Sequence, residues 1–281
     1  MSRDVICLAI HGMGKTERGF ANDFRDHLSD RLGKDDWARV HFDSIYYQTV
    51  LQANQSRVMN AMHKRELDWI RLRKFLLFGF SDAAGLEHRA SLGNSPYKQV
   101  QELIRKALRK AMTVAGGPRP VVLFAHSLGC QVISNYIWDA QSRKPGQGVW
   151  KGARKPTTPT AIARDNFLRF KGLKYFYTTG CNIPIFLAGF PEGDIKAIKV
   201  SGSGYDITWR NFYDEDDVLG WPLRPLSKSY GKAVTEDRHV NASGSFFGAI
   251  TQSWNPLSHG GYWTERAVLK PLARDIRSLL P

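Results

Sequence analysis

The segment Ala125-His126-Ser127-Leu128-Gly129 carries the clearest chemical signal in this chain. An apolar run over 121–124 precedes it, and apolar residues with helical spacing follow over 132–137. This pattern predicts a strand, a sharp turn and a helix. A serine on so tight a turn is held away from the sheet, where its hydroxyl can meet a substrate. The pattern is that of a nucleophile elbow with alanine in the first glycine position, and the alternative is an ordinary turn with a helix-capping serine.

A serine hydroxyl becomes a nucleophile when a base removes its proton and a third group orients that base. An acidic run over 214–217 follows a predicted strand, and His259 lies in a glycine-rich loop before the predicted last helix. The order serine, aspartate, histidine is the order found in α/β hydrolases and differs from that of other serine hydrolases. The acidic run has a second interpretation, as a solvated loop or an adventitious cation site.

Several segments together resemble the α/β hydrolases of the lipase and serine-esterase type, over most of the chain. The resemblance implies that Ser127 is the nucleophile and that His259 is the general base and then the general acid. It implies no metal and no organic cofactor. The segments that carry it are His11-Gly12-x-Gly14, Ala125–Gly129, Thr179-Gly180-Cys181-x-x-Pro184, Asn211-x-Tyr213-Asp214-x-x-Asp217 and Ser258-His259-x-x-Tyr262-Trp263.

The third member of the triad is an aspartate that similar proteins carry in an Asp-Pro-Val-like step after a strand. That step corresponds best to 216–218, so we expect Asp216 to be the acid, with Asp217 as runner-up and Asp214 third. His239 is the competitor of His259 for the base, but it lies in what looks like the approach to a strand.

A tetrahedral intermediate needs hydrogen-bond donors for its oxyanion. In this fold one donor is the backbone amide after the nucleophile, here Leu128, and the other comes from a loop after an early strand, here Gly12 or Met13. The resemblance favours Met13. His126 is too close to Ser127 along the chain to act as its base, so we expect His126 and His11 to line the pocket.

The same early loop supports a rival hypothesis. Gly14-Lys15-Thr16 matches the end of a phosphate-binding P-loop, but Ala9 stands where the first glycine is required. The strand before Ser127 also lacks the acidic residue that an NTPase uses to hold Mg²⁺. A third hypothesis is a hydrolase-fold protein that binds a ligand or partner without catalysis.

Strand and helix patterns alternate along the chain and predict an α/β fold, with a mostly parallel sheet covered by helices on both faces. We expect one α/β-hydrolase domain over 1–281, trimmed at its N-terminus because the chain starts almost at the oxyanion loop. Two segments, 51–95 and 142–171, do not fit the alternation and are candidate lids near the catalytic edge. The predicted strands are 4–10, 40–47, 121–124, 173–179 and 207–213, and the predicted helices are 19–31, 97–113 and 265–280.

The net charge of +14 favours anionic partners. We expect a small-molecule or lipid ester substrate, and the apolar and cationic segment 69–80 is a candidate for docking on an anionic membrane surface. The alternative for 69–80 is a buried core helix, and the alternative for the net charge is a basic surface tuned for solubility.

No nucleic-acid motif is evident, and the oligomeric state is open. Three cysteines are too few for a disulfide framework or zinc site. Without a signal peptide or an apolar run of about 18 residues, the sequence predicts a cytoplasmic protein.

Overall fold

The computed structural model describes residues 3–13, 16–50, 56–58, 60, 95–142, 148–242 and 258–281, except for the side chains of residues 258 and 259. The strands are β1 (Val5–Ile10), β2 (Val40–Ile45), β3 (Val121–His126), β4 (Leu173–Thr179), β5 (Ser201–Gly202), β6 (Tyr205–Asp206), β7 (Thr208–Tyr213) and β8 (Val234–His239). Six of them form one parallel sheet in the order β2-β1-β3-β4-β7-β8, and β5 pairs with β6 as an antiparallel ribbon.

The helices of the described residues lie on both faces of this sheet. They are α1 (Asn22–Leu32), α2 (Lys34–Ala38), α3 (Pro96–Val114), α4 (Leu128–Gln141), α5 (Pro159–Leu168), α6 (Ile183–Leu187), α7 (Lys228–Ala233) and α8 (Arg266–Arg277). The apolar residues of α3 and α4 belong to one core cluster, and those of α1 and α8 belong to the other. The predicted α/β class and the mostly parallel sheet are therefore confirmed.

Strand β1 shows why both faces must be covered. All six of its side chains are buried, as expected for a central strand of a parallel sheet. Successive side chains of a strand point to opposite faces, so Ile6 and Leu8 join the cluster under α3 and α4. Val5 and Cys7 join the cluster under α1 and α8. Strand β8, at the sheet edge, carries the charged sequence Val-Thr-Glu-Asp-Arg-His instead.

Helix α8 is fixed to the sheet by polar contacts as well as by its apolar face. The carboxylate of Asp275, which is almost fully buried, accepts hydrogen bonds from the Tyr177 hydroxyl at 2.6 Å and from Arg210 Nε at 2.9 Å. Arg210 also donates to Glu236 at 2.7 Å. These contacts connect α8 with β4, β7 and β8.

Most of the predicted elements are confirmed within a few residues. The strand over 173–179 is β4, the helix over 97–113 is α3, and the helix over 265–280 is α8. The segment that the sequence indicates only as the approach to a strand is β8 itself, and His239 is its last residue.

Residues 142 and 148–171, the described part of one candidate lid, do not line the cavity at Ser127. Helix α4 has 14 residues, which carry the chain about 21 Å away from the turn at Ser127 before the segment begins. The described part, 148–171, packs instead on α3, where the Val149 amide donates to Gln101 Oε1 at 3.0 Å. The other candidate lid, 51–95, lies outside the described residues except for 56–58, 60 and 95, and so does all of 69–80.

Within the described part of the chain, no helix combines the length and apolar character needed to cross a membrane.

We expect Gly129→Ala to destabilise the protein. A Cβ atom at residue 129 would overlap the carbonyl oxygen of His11 and lie 3.1 Å from that of Ile10, so α4 would have to move away from β1. Forcing extra volume into a packed interior costs about 1–3 kcal/mol. Urea denaturation measures the change. Gly189→Ala is the matched control, because a Cβ there meets no atom within 4 Å. Equal stability of the two variants would contradict this packing.

Candidate active site

Ser127 lies in the turn between β3 and α4 with a strained backbone, at φ 55° and ψ −128°. A non-glycine residue holds such angles only where the surrounding structure enforces them, at a cost of about 1–3 kcal/mol. Here the Ser127 amide donates to the Thr179 carbonyl oxygen at 2.9 Å, and the Ser127 carbonyl accepts from the Cys130 amide at 2.9 Å. The Ser127 hydroxyl does not cap helix α4. The alternative of a capping serine is therefore wrong.

The loop after β1 lies directly against this turn. A Cβ atom on Gly12 would be 2.5 Å from Ser127 Cβ and 2.9 Å from Ser127 Oγ, so the loop reaches the serine only because residue 12 has no side chain. The sequence segments around Gly12 and Ser127, far apart in the chain, therefore form one site.

A pair of buried rings fixes the orientation of the Gly12–Met13 peptide. The Gly12 carbonyl accepts hydrogen bonds from His11 Nδ1 at 2.7 Å and from the Tyr47 hydroxyl at 3.1 Å. The two rings stack with centroids 4.1 Å apart. The Tyr47 amide donates to His11 Nε2 at 3.1 Å, so the proton of the neutral imidazole is on Nδ1. Because C=O and N–H point in opposite directions across a trans peptide, the Met13 amide points away from the two rings.

Two backbone amides near Ser127 are available to an anion. Leu128 is the first residue of α4, whose N-terminus carries partial positive charge. Met13 follows the oriented Gly12 carbonyl. Among the residues that the structure describes, neither the Leu128 amide nor the Met13 amide has a hydrogen-bond acceptor.

Ser127 borders a cavity of about 250 Å³. His11 and His126 line it, as the sequence predicts, and His126 Nδ1 lies 3.2 Å from the Thr179 hydroxyl. The remaining described lining residues are Gly12, Met13, Thr16, Glu17, Phe20 and Trp263. Of these, Phe20 and Trp263 give the cavity an aromatic wall, with ring centroids 5.6 Å apart.

The three candidate acids differ in burial and contacts. Asp216 is exposed, whereas Asp214 and Asp217 are 3% and 4% exposed. Asp214 accepts from the amides of Asp216 at 3.0 Å and Ala242 at 2.6 Å, so it joins the loops after β7 and β8. Asp217 accepts from the Leu219 amide at 3.1 Å through Oδ1 and from the Tyr262 hydroxyl at 2.9 Å through Oδ2.

Tyr262 and Trp263 connect the acidic loop with the serine. Trp263 lines the cavity beside Ser127, and its indole lies 5.4 Å from the His126 ring. The neighbouring Tyr262 contacts Asp217, and burial together with that carboxylate raises the pKa of the Tyr262 phenol. Both residues belong to the 3₁₀ helix Ser258–Trp263, which also contains His259.

The two candidate bases are placed differently. The backbone of His259 lies in the 3₁₀ helix beside Tyr262 and Trp263, but its side chain is outside the described residues. His239 ends β8 with a half-exposed side chain, and its Nε2 lies 3.9 Å from Glu215 Oε1. It does not appear among the described residues that line the cavity at Ser127.

The rival P-loop hypothesis rests on residues that are only partly described. Gly14 and Lys15 lie outside the described residues, and Thr16 lines the cavity at Ser127. Over the described ranges, no group of three or more His, Cys, Asp or Glu side chains is arranged to hold a metal ion.

Sequence reasoning overlooked the positioning role of Tyr47 and of Tyr262. A signal existed for Tyr47, since it follows β2, the neighbour of β1, and the carboxyl ends of parallel neighbours lie side by side. Tyr262 stands in a segment with a clear motif, but nothing local indicates that its hydroxyl reaches Asp217, 45 residues earlier in the chain.

Comparison with known proteins adds no assignment to this geometry. No protein-family model matches the chain, and no curated protein matches it. The functional argument therefore rests on the residues of the site.

We expect His11 to make folding stability depend on pH. Burial lowers the pKa of His11 to about 4, from 6.5 in the unfolded chain. Between pH 4 and pH 6.5 the unfolded chain therefore binds a proton that the folded protein does not bind. The free energy of unfolding consequently decreases as the pH falls from 6.5 towards 4. The loss is up to about 3 kcal/mol.

Urea denaturation of wild type and His11→Gln between pH 8 and pH 4 measures this contribution. We expect a flatter pH dependence in the variant. Burial also lowers the pKa of His41, which contributes in the same direction to both proteins. Parallel curves for wild type and variant would contradict the neutral, buried state of His11.

Proposed function

We propose that this protein is a serine hydrolase of the α/β-hydrolase type that cleaves carboxylic esters through an acyl-enzyme. The observation that carries the proposal is the strained turn at Ser127, φ 55°, pressed against the glycine loop after β1. That arrangement brings a serine hydroxyl together with the Leu128 and Met13 amides. A nucleophile beside two available donors is the arrangement that acyl transfer requires.

The order of the strands supports the same proposal. Ser127 follows β3, Asp217 follows β7, and the 3₁₀ helix that contains His259 comes after β8. These strands are parallel, so the segments after them start from the same edge of the sheet. The order serine, acid, histidine along this edge is that of the α/β hydrolases.

Within this proposal, Asp217 is a better triad acid than Asp216. A triad carboxylate is shielded from water and held by hydrogen bonds, so that it can orient the imidazole and stabilise its charged form. Asp217 is buried and held by Leu219 and Tyr262, whereas Asp216 is exposed. Asp214 is buried too, and its two oxygens bind two backbone amides. Asp217 is preferred to it because its carboxylate accepts from Tyr262, the neighbour of the Trp263 that lines the cavity beside Ser127.

The proposed reaction has two halves. Ser127 Oγ attacks the ester carbonyl carbon while His259 takes the hydroxyl proton, and the Leu128 and Met13 amides stabilise the oxyanion. The bond between the carbonyl carbon and the alcohol oxygen then breaks, and His259 gives its proton to the leaving alcohol. Water repeats the sequence on the acyl-enzyme, which releases the acid and restores Ser127.

One feature of the site favours an ester with an apolar acyl chain, and another favours acyl transfer. Phe20 and Trp263 offer apolar ring surface to an acyl chain beside Ser127. The buried pair of His11 and Tyr47 holds the peptide that supplies the Met13 donor, so this donor is oriented before the substrate arrives.

Fluorophosphonate labelling tests the proposal directly. We expect wild type to be labelled at Ser127 and Ser127→Ala to be unlabelled. Ser203→Ala is the matched control, because Ser203 has the same φ of 55° but lies in the turn between β5 and β6. Hydrolysis of acyl esters of graded chain length should follow the labelling. Folded wild-type protein that takes up no label would overturn the proposal in favour of a non-catalytic binding protein.

A pair of neighbouring substitutions identifies the acid. We expect Asp217→Asn to lower kcat by about 10³–10⁴-fold, because the imidazole loses the group that holds its tautomer. Asp216→Asn should leave kcat within about twofold, as expected for an exposed side chain. Steady-state ester hydrolysis measures both, with circular dichroism as the check on folding. The opposite ranking would restore Asp216 as the acid.

A further inference from the structure

A second and larger cavity lies away from Ser127. Its volume is about 840 Å³, against about 250 Å³ for the cavity at Ser127. It is formed by the C-terminal end of α4, the segment around Trp150, helix α5 and the chain just before β4. Since β4 begins there and α4 ends there, this cavity is at the amino edge of the sheet. Nothing in the proposed ester hydrolysis uses it.

One guanidinium in this cavity is held in a fixed position. Arg169 Nε donates to Asp165 Oδ2 at 2.8 Å, and Arg169 Nη1 donates to the Ala140 carbonyl at 2.8 Å. The guanidinium carbon lies 4.2 Å from the centre of the Trp150 ring, a cation–π contact. Over the described residues, Arg169 Nη2 donates to no acceptor. Nη2 is therefore a donor available to a ligand, and the guanidinium is already ordered before the ligand binds.

The charge lining the cavity is strongly unbalanced. Arg154, Lys155 and Lys171 line it together with Arg169. Its one described carboxylate is Asp165, which already pairs with Arg169. Within the described part of the chain, none of the other three cations forms an ion pair. Four positive charges thus face one negative charge.

We propose that this cavity binds a phosphate-bearing ligand with more than one negative charge. The excess of three positive charges calls for a polyanion rather than a single carboxylate, and guanidinium and ammonium groups are the usual phosphate donors in proteins. Arg169 supplies the oriented contact. The exposed side chains of Arg154 and Lys155 and the half-buried Lys171 close on the ligand, the lysines as flexible point charges and Arg154 as a second guanidinium fork.

The volume also fits a ligand larger than a single phosphate. Sites for small molecules occupy about 300–1,000 Å³, and this cavity lies within that range. The ligand is either a soluble phosphorylated molecule or the headgroup of an anionic phospholipid. Both present the same phosphate oxygens to the cations.

Calorimetric titration with inorganic pyrophosphate tests the site, using the full-length protein at physiological ionic strength. We expect saturable binding to wild type, and a loss of affinity of at least about tenfold in the double variant Arg154→Gln/Lys171→Gln. Both side chains reach solvent, so the variant should fold, and thermal unfolding checks this. Lys228→Gln is the matched control, because it removes an exposed charge from α7, outside the cavity.

Co-sedimentation with vesicles of phosphatidylcholine, with and without phosphatidic acid, separates the two sources of phosphate. Pyrophosphate binding without vesicle binding supports a soluble ligand, and vesicle binding that requires phosphatidic acid and is lost in the double variant supports a headgroup. Unchanged affinity in the double variant, equal loss in Lys228→Gln, or no binding of either probe would overturn the proposal. Labelling of Ser127 by fluorophosphonate is independent of all these outcomes.

Discussion

The close approach of the loop after β1 to the turn after β3 is the constraint on which the rest of this site depends. Gly12 lies against Ser127, and Gly129 lies against the carbonyl of His11, so both contacts require a residue without a side chain. The strain at Ser127 is maintained because its amide and carbonyl are hydrogen-bonded to Thr179 and Cys130. The same approach brings the Gly12–Met13 peptide, held by two buried rings, next to the strained serine. The packing of Gly129, the strain at Ser127 and the placement of the Met13 amide therefore all depend on one contact, between the loop after β1 and the turn after β3.

Local sequence was sufficient where local forces decide the structure. The apolar run before Ser127 and the small residues around it predict β3, the turn and α4, because period and residue size act over a few positions. The choice between Asp216 and Asp217 is different. They are neighbours in the loop after β7, but only Asp217 is buried, and it binds the hydroxyl of Tyr262, 45 residues further along the chain. A contact of that kind leaves no trace in the spacing of the acidic run, so the sequence could name the cluster but not the buried member.

The prediction that 142–171 forms a lid near the catalytic edge also came from local sequence alone. A segment rich in Lys, Arg, Pro and Gly that follows a helix from the candidate active site could lie at either edge of the sheet. The length of α4 decides the matter, since a helix returns the chain to the edge opposite its start. The two edges consequently have different chemistry: the carboxyl edge carries Ser127 and buried acids, and the amino edge carries the cations around Arg169.

Helix α8 has a consequence for how this fold is completed. Strand β1 precedes every other described element along the chain, yet the face that carries Val5 and Cys7 is covered partly by α8, which follows all of them. Asp275, which joins α8 to Tyr177 and Arg210, lies equally late in the chain. The contacts between β1 and α8 therefore join residues that are far apart along the chain, and such long-range pairing is slow to form. The apolar face of this central strand is therefore fully covered only when the last described helix has docked on it.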